Sequence, residues 1–593
     1  MNKNRKPVFK KSNILIEGYP SYMSNLLGNR GIYTKEDADF FIYADWDDLR
    51  DPFTAKGIKE AVTLTKEEIS KGTKIKVFGD YDCDGVTSTS VAITGLENCG
   101  ANVTARLPCR ITEGYGIRMN AVKELIEEGV GLIITVDNGI KALEEVKYAI
   151  DNGVKVIVLD HHIIGEQLPV ANVVVDLHRE DETFGYADLA GVGVAFLFVR
   201  ALYKEFGIDD EKAKELLDLV AIGTVADCVP LTGENRILVK EGLKVINSKN
   251  YSRKSILSII RKNFITGHVT STDIGFKIAP VINAPGRLLE KGAERAYNMV
   301  MDVDGLGSEE AEFLMRINQE RKELTLEGVS IGEEYIEKNI PKDEKMIVVY
   351  LPNQPEGIIG LISGRITEKY WKPSVVFTDD AHGGIKASGR SIKKVDLYEC
   401  LTSCGGLFER YGGHEQAAGM SMNPKNFEKL RIGLNTFIND NYTEEDFIRE
   451  DIYEIEVEET DITNDFLDKL EMIEPCGVGN EKPIVKIKNF ELIKRKLQGG
   501  GFDKYAFLGE DKSNIVLYGK DIEALCFGLS KDFIENGEPD VLDLYGTLEK
   551  TYKYGEETKS IWVNHFEESV STFINTKADN NLLSQIANLA ANL

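Results

Sequence analysis

The stretch 74–87, KIKVFGDYDCDGVT, constrains this chain more than any other part of it. Its apolar start, Lys74 to Phe78, reads as a buried strand. Three carboxylates follow on alternate residues, Asp80, Asp82 and Asp84, before Gly85 turns the chain. Side chains of an extended tip alternate between faces, so all three are expected on one side, with Tyr81 and Cys83 on the other. Three like charges that close are unstable together unless cations hold them. Two more apolar runs end the same way: GLIITVDNG (131–139) in Asp137, and VKVIVLDHH (154–162) in Asp160, His161 and His162. Ligands of open parallel sheets sit beyond the carboxyl ends of the strands. The three tips are therefore expected to meet at one metal-rich crevice.

The surrounding pattern supports such a sheet. Strands are expected at 74–80, 101–107, 131–137, 154–159 and 172–176, separated by helices at 88–98, 120–128 and 141–151. Strands alternating with helices of this length mean βαβ crossovers and parallel pairing. Near-continuous Val and Ile content suits strands covered on both faces. From 191 to about 303 the chain reads as helical; it carries Asp227 within LLDLVAIGTVADCVPL (216–231) and a loop, NAPGR, at 283–287. Helical spacing over about 308–338 predicts a long connecting helix with weak points at Gly328 and Gly332.

A second α/β pattern opens at 346 with MIVVYL. It includes a helix over 357–369, a strand over 374–377 and two glycine-rich segments, KASGRS (386–391), which puts Arg390 in a loop, and YGGHEQAAG (411–419), whose glycines would also suit a tight turn at His414. An acidic run at 444–461 opens a further domain. Short strands between 485 and 563, with glycine-rich turns such as 499–501, predict a small β-barrel. The expected division is an N-terminal cap on the first strand (1–70), a catalytic α/β domain (71–305), a connecting helix (306–340), a smaller α/β domain (341–440), the barrel (445–570) and a tail (571–593).

At 593 residues the chain is too long for one core. A net charge of −26 argues against a uniformly basic nucleic-acid coat, though not against a local basic groove. No apolar run approaches the roughly 18 residues of a membrane span, and the basic N-terminus lacks the apolar core of a signal peptide. Eight scattered Cys read as reduced thiols, so a cytoplasmic location is expected. Cys400 and Cys404 are better read as core packing than as half a zinc site.

Two other readings of the acidic tip are weaker. An EF-hand loop needs a Glu at its twelfth position, where this chain has Val91, and its flank is a helix rather than a strand. An aspartyl-phosphate phosphatase also ends a strand in DxD, but does not use a His pair on a later strand. The absence of a paired thiolate in the set favours Mn²⁺ or Mg²⁺ over structural zinc.

DYDCDG (80–85), VDNG (136–139), DHH (160–162) and GTVADCVPL (223–231) resemble the four successive motifs of the DHH phosphoesterase superfamily. NAPGR, SGRS (388–391) and GGHEQAAG (412–419) resemble the further motifs of its RecJ branch of single-strand-specific exonucleases, the last marking the DHHA1 domain. EPCGVGNEKP (474–483) is similar to the segment that opens the oligonucleotide-binding (OB) barrel of that branch. The resemblance implies a parallel-sheet DHH domain, a long helix, a smaller DHHA1 domain and an OB-fold barrel.

It places Asp82, Asp84, Asp137, His161 and Asp227 at metal-ligand positions, with Asp137 bridging two Mn²⁺ or Mg²⁺ ions. Asp80 stands at the first acidic position. His162 is a ligand or a nearby acid, and Asp160 orients the histidines. Arg287, Ser388, Arg390 and His414 match positions that hold DNA phosphates. Where relatives often carry a His before the DHHA1 helix, this chain has Gln354 and Pro355. The implied activity is 5′-to-3′ hydrolysis of single-stranded DNA to mononucleotides in repair and recombination. The barrel would bind the strand by base stacking and a basic groove. The protein would act as a monomer, away from membranes, with single-strand-binding protein and a helicase as partners. The alternatives are a phosphodiesterase for short oligonucleotides or cyclic dinucleotides, and a silent DNA-binding scaffold of replication.

Overall fold

The computed structural model describes residues 5–569, apart from 266, 303–304, 381–382, 497–501 and 554–555. The expected turn at 499–501 and the tail from 571 lie outside the described residues. The chain forms two compact units, one of residues 45–448 and one in which the first 44 residues join those from Arg449 onward. No helix among the described residues is long and apolar enough to cross a membrane.

The first unit opens with a five-stranded, all-parallel sheet in the spatial order Asn102–Arg106, Lys74–Phe78, Leu132–Val136, Lys155–Leu159 and Val173–Val175. Helices Cys83–Asn98, Met119–Glu127 and Leu143–Asp151 make the crossovers, as parallel pairing requires. One face packs Phe78, Ile133, Val156 and Val158 against Val122, Leu125 and Val146. Behind the sheet, helix Cys83–Asn98 packs on helix Gly191–Phe206. A Cβ at Gly95 would lie 2.5 Å from Val199, so only glycine allows that approach. Because the Lys74–Phe78, Leu132–Val136 and Lys155–Leu159 strands are adjacent and parallel, their carboxyl ends come together, as the sequence predicts.

Helix Gly307–Asn339 leads to a five-stranded mixed sheet in the order Arg410–His414, Ala417–Met422, Ile385–Arg390, Ser374–Asp379 and Ile347–Tyr350. Gly328 and Gly332 are contact points rather than weak points. A Cβ at either would meet Ile362 or Ile366 of helix Glu356–Tyr370, at 2.4 and 3.0 Å. The segment expected to hold Arg390 in a loop is a strand, Ile385–Arg390, and GGHEQAAG forms the hairpin of Arg410–His414 with Ala417–Met422. NAPGR likewise lies inside helix Ala279–Leu288, which tolerates Pro285 after a π-helical turn at Ile274–Ile278.

The second unit holds a seven-stranded sheet from Ile455–Glu458 to Glu556–Glu568. The first 44 residues belong here. Strand Arg5–Phe9 pairs in parallel with Arg449–Tyr453, and Met23, Leu26, Leu27 and Phe41 share a core with Ile455, Phe466, Val485 and Leu544. The expected cap on the first strand of the parallel sheet is thus divided. Only the later part, with helix Ile58–Ser70, packs on helix Gly191–Phe206 and strand Val173–Val175. The apolar stripe of the two N-terminal helices is instead buried by the barrel.

Candidate metal centre and nucleic-acid cleft

The acidic tip is not extended. The strand ends at Phe78, and Asp82 becomes the N-cap of the next helix, its side chain accepting from the Gly85 N–H at 3.0 Å. Asp84 therefore sits in the first helical turn, and the three carboxylates split into two groups instead of crowding one side. Asp84 is buried, and its two oxygens accept from the Gly191 and Val192 N–H groups, at 2.7 and 3.0 Å, at the start of helix Gly191–Phe206. A helix N-terminus suits that charge. Asp80 accepts from the Gly116 N–H at 3.3 Å. Asn283 of NAPGR takes the Cys83 N–H at 2.7 Å, which docks that helix under the tip.

Asp137 follows its strand with φ +60°, a left-handed conformation that Asp and Asn tolerate better than most residues. The turn points its carboxylate at the crevice, where a Cβ on Gly191 would come within 2.8 Å of its Oδ1. His161 Nε2 lies 3.1 Å from Asp137 Oδ1, 3.7 Å from Asp227 Oδ2 and 3.9 Å from Asp84 Oδ2. Asp160 is fully buried. Its Oδ2 takes the Ile140 N–H, while Oδ1 takes the His161 N–H and lies 2.8 Å from His162 Nδ1. It orients the His162 ring and ties down the backbone of both histidines.

Three sets of ligand atoms each gather within 4.8 Å: Asp80 with Asp82 and Asp137, Asp84 with His161 and Asp227, and Asp137 with His161 and His162. Asp137 and His161 each belong to two sets, so the cluster extends beyond a single ion. The donors are carboxylate oxygens and imidazole nitrogens, a set suited to Mg²⁺ or Mn²⁺. Among the described residues no lysine or arginine pairs with these five aspartates. Burial, then mutual repulsion, raises Asp80 to about 8, Asp84 to about 7 and Asp227 to about 9, and holds Asp137 well above its ordinary value. Burial, then repulsion from His162, lowers His161 to about 4, leaving the neutral imidazole a metal needs. Burial opposes a proton on His162, but the hydrogen bond and charge of Asp160 outweigh it and hold that ring above its usual value.

The sign of these shifts gives a first prediction. A carboxyl raised from its unfolded value stabilises the fold at low pH, and that contribution is lost as pH rises through about 7 to 9. The melting temperature in EDTA should fall between pH 6 and pH 9. Divalent ions should restore it, by about 2.7 kcal/mol at a hundredfold excess over Kd. A scanning-fluorimetry series in which EDTA and Mn²⁺ samples melt alike at pH 9 would contradict the metal centre.

Beside this cluster lies a cleft of about 900 Å³, lined from both α/β domains of the unit. Its cations are Arg110, Arg118, Arg287, Lys386, Arg390 and Arg410, a local basic surface on an acidic chain. Tyr115 joins cleft to cluster. It lines the cleft, and its hydroxyl lies 3.1 Å from His162 and 3.4 Å from the Asp137 carbonyl. Arg287 donates to the Gly357 carbonyl at 3.0 Å. Arg390 ends its strand rather than sitting in a loop, and its Nη1 donates to Ser388 Oγ at 3.0 Å and the Gly389 carbonyl at 2.8 Å. Burial, then repulsion from Arg110 and Arg321, lowers Arg287 to about 10. His414 stands apart, exposed at the end of the Arg410–His414 strand and not among the residues lining the cleft. Sequence reasoning missed Arg110, Tyr115, Arg118, Lys386 and Arg410. The signal was there in RITEGYGIR (110–118), two arginines and a Tyr around paired glycines.

Family models match in the order of the architecture: the DHH family N-terminal domain over residues 74–224, the DHHA1 domain over 343–440 and the RecJ OB domain over 453–565. The single-stranded-DNA-specific exonuclease RecJ of Haemophilus influenzae is 31% identical over 81% of this chain and 85% of its own length. The chain belongs to the RecJ family. The RecJ of Bacillus subtilis is 34% identical over 87% of this chain, which spans 64% of that relative's length. RecJ from Thermus thermophilus, solved with Mn²⁺, superimposes with a TM-score of 0.75 at 27% identity, covering 92% of this chain and 76% of that one. A second manganese-bound RecJ structure covers 66% of this chain and 96% of its own, with a TM-score of 0.57 at 33% identity.

Proposed function

We propose that this RecJ-family chain is a single-strand-specific exodeoxyribonuclease that works from the 5′ end and releases mononucleotides. Two Mn²⁺ or Mg²⁺ ions would be held by Asp80, Asp82, Asp84, Asp137, His161 and Asp227. The observation that carries this reading is the contiguity of three linked ligand sets with a basic cleft, joined by Tyr115. Direction and strand preference rest on the family relationship. When bound, such ions activate a water and stabilise the oxygens of an in-line displacement.

The chain's own residues do the rest. Arg287, Arg390 and Ser388 grip non-bridging oxygens of the phosphate. His162, whose ring Asp160 holds above its usual value, would give a proton to the departing oxygen. The enzyme would act in the cytoplasm as a monomer, on single strands exposed by a helicase and covered by single-strand-binding protein. The test is digestion of 5′-labelled and 3′-labelled strands, single and double, with Mn²⁺ and with EDTA. Release of label from the 3′ end first, or equal attack on duplex, would refute it.

The barrel would hold the strand further along, and its chemistry points to stacking more than charge. Lys482, Lys486, Lys504 and Arg495 are paired with Glu549, Asp543, Asp540 and Glu523. Exposed Phe527 and Trp562 lie ring to ring, 5.2 Å apart. A protein trimmed to residues 45–448 should bind long single strands at least about tenfold more weakly, the order of one lost stacking contact, while cleaving short ones at similar rates. Both ends must go, because the first 44 residues lose their core without the barrel. Unchanged affinity for a long strand, read by fluorescence anisotropy, would remove the barrel from binding.

A further inference from the structure

Tyr81 stands between Asp80 and Asp82, and the reading above gives it no task. It is half-buried, and its hydroxyl makes no hydrogen bond among the described residues. The face of its ring carries a neighbour: the Arg110 guanidinium lies 4.8 Å from the ring centroid. Arg110 lines the cleft and forms no ion pair among the described residues. It is also close enough to Arg287 and Arg390 to depress both. Three guanidiniums thus converge on one cleft, and like-charge repulsion would swing the least tethered of them away. Arg287 is tied to the Gly357 carbonyl and Arg390 to Ser388 and Gly389. For Arg110, the ring of Tyr81 is the attractive partner.

The backbone that carries that ring is docked beside the metal ligands. The Tyr81 carbonyl packs on helix Ala279–Leu288, where a Cβ at Gly286 would lie 3.0 Å away, and the nearby Cys83 N–H is bonded to Asn283. We infer that Tyr81 is a positioning residue, whose aromatic face holds Arg110 over the cleft at a fixed place relative to Asp80 and Asp82. A phosphate gripped by Arg110 would then be registered to the metal ligands through one side chain. The inference rests on the nuclease reading above.

A double-mutant cycle on the full chain tests it, using a short 5′-phosphorylated single strand with Mn²⁺. Tyr81→Leu should raise KM roughly tenfold, the order of a partly desolvated cation–π contact, with a smaller effect on kcat. Arg110→Ala should do the same, and the double variant should be no worse than Arg110→Ala. Tyr81→Phe keeps the ring and should rescue the Leu defect, and Mn²⁺ affinity by calorimetry should be unchanged in each. Additive losses, a Phe variant as poor as Leu, or lost Mn²⁺ affinity in Tyr81→Leu would overturn the inference and leave the nuclease reading standing. A wild-type chain that cleaves no single strand would instead sink that reading and, with it, the role given to Tyr81.

Discussion

Asp137→Asn is expected to slow single-strand cleavage about a thousandfold or more, since loss of metal-borne charge stabilisation costs several kcal/mol of barrier. The chain should nevertheless stay folded. Asn is the right replacement because residue 137 sits at φ +60°, where Asn is tolerated and Ala adds strain. The backbone bond from the Asp137 N–H to the Leu159 carbonyl, 3.1 Å, does not depend on the side chain. Removing this carboxylate also removes its own burial and its repulsion by Asp84, Asp82, Asp80 and Asp227, which hold Asp137 well above its ordinary value. In EDTA at pH 8 the variant should therefore melt at or above the wild-type temperature, and gain less from Mn²⁺. Cleavage near the wild-type rate would remove Asp137 from the centre. A variant that melts well below wild type in EDTA would make its role structural.

The parallel sheet was legible because its strands are buried on both faces, and such strands read as unbroken Val and Ile runs between amphipathic helices. The convergence of Asp137, His161 and the 80–84 tip followed from that topology alone. Local geometry at the tip did not. Alternation places Asp80, Asp82 and Asp84 together, but the N-cap bond from Gly85 to Asp82 starts the helix early and turns Asp84 toward Gly191 and Val192, more than 100 residues on. Capping is a local competition that apolar periodicity does not report. Glycine misled in the same way. In KASGRS and GGHEQAAG it reads as a turn, yet here it sits in strands, and at Gly389 and Gly413 close neighbours leave no space for a side chain. A Cβ at Gly389 would lie 2.9 Å from Leu397, and one at Gly413 2.3 Å from the Ala417 carbonyl. The N-terminal segment was misplaced because amphipathic helices declare that they need a partner, not which one. Met23, Leu26 and Leu27 meet residues more than 400 positions away.

Arg390 lies far in sequence from every metal ligand, and the structure brings it into a cleft that Arg110 and Tyr115 of the first α/β domain also line. Its guanidinium is held by one end. Nη1 is bonded to Ser388 and Gly389, while Nε and Nη2 make no hydrogen bond among the described residues. Gly360 leaves room there, since a Cβ at that position would lie 3.0 Å from Nη2. A group anchored on one nitrogen with others free is preorganised to take a phosphate oxygen without first reordering. Arg390→Ala is therefore expected to lower kcat/KM about a hundredfold or more, the usual order for one lost charge-stabilising donor, roughly 2.7–4 kcal/mol. Mn²⁺ affinity should not change, because Arg390 contacts none of the ligand carboxylates. Arg390→Lys should recover little: an ammonium cannot keep the bond to Ser388 and present a planar pair of donors at once. Single-turnover cleavage of a 5′-phosphorylated strand, beside calorimetric titration with Mn²⁺, separates the possibilities. Weakened Mn²⁺ binding would show that Arg390 supports the centre structurally, and cleavage at the wild-type rate would show that this side of the cleft does not hold the reacting phosphate.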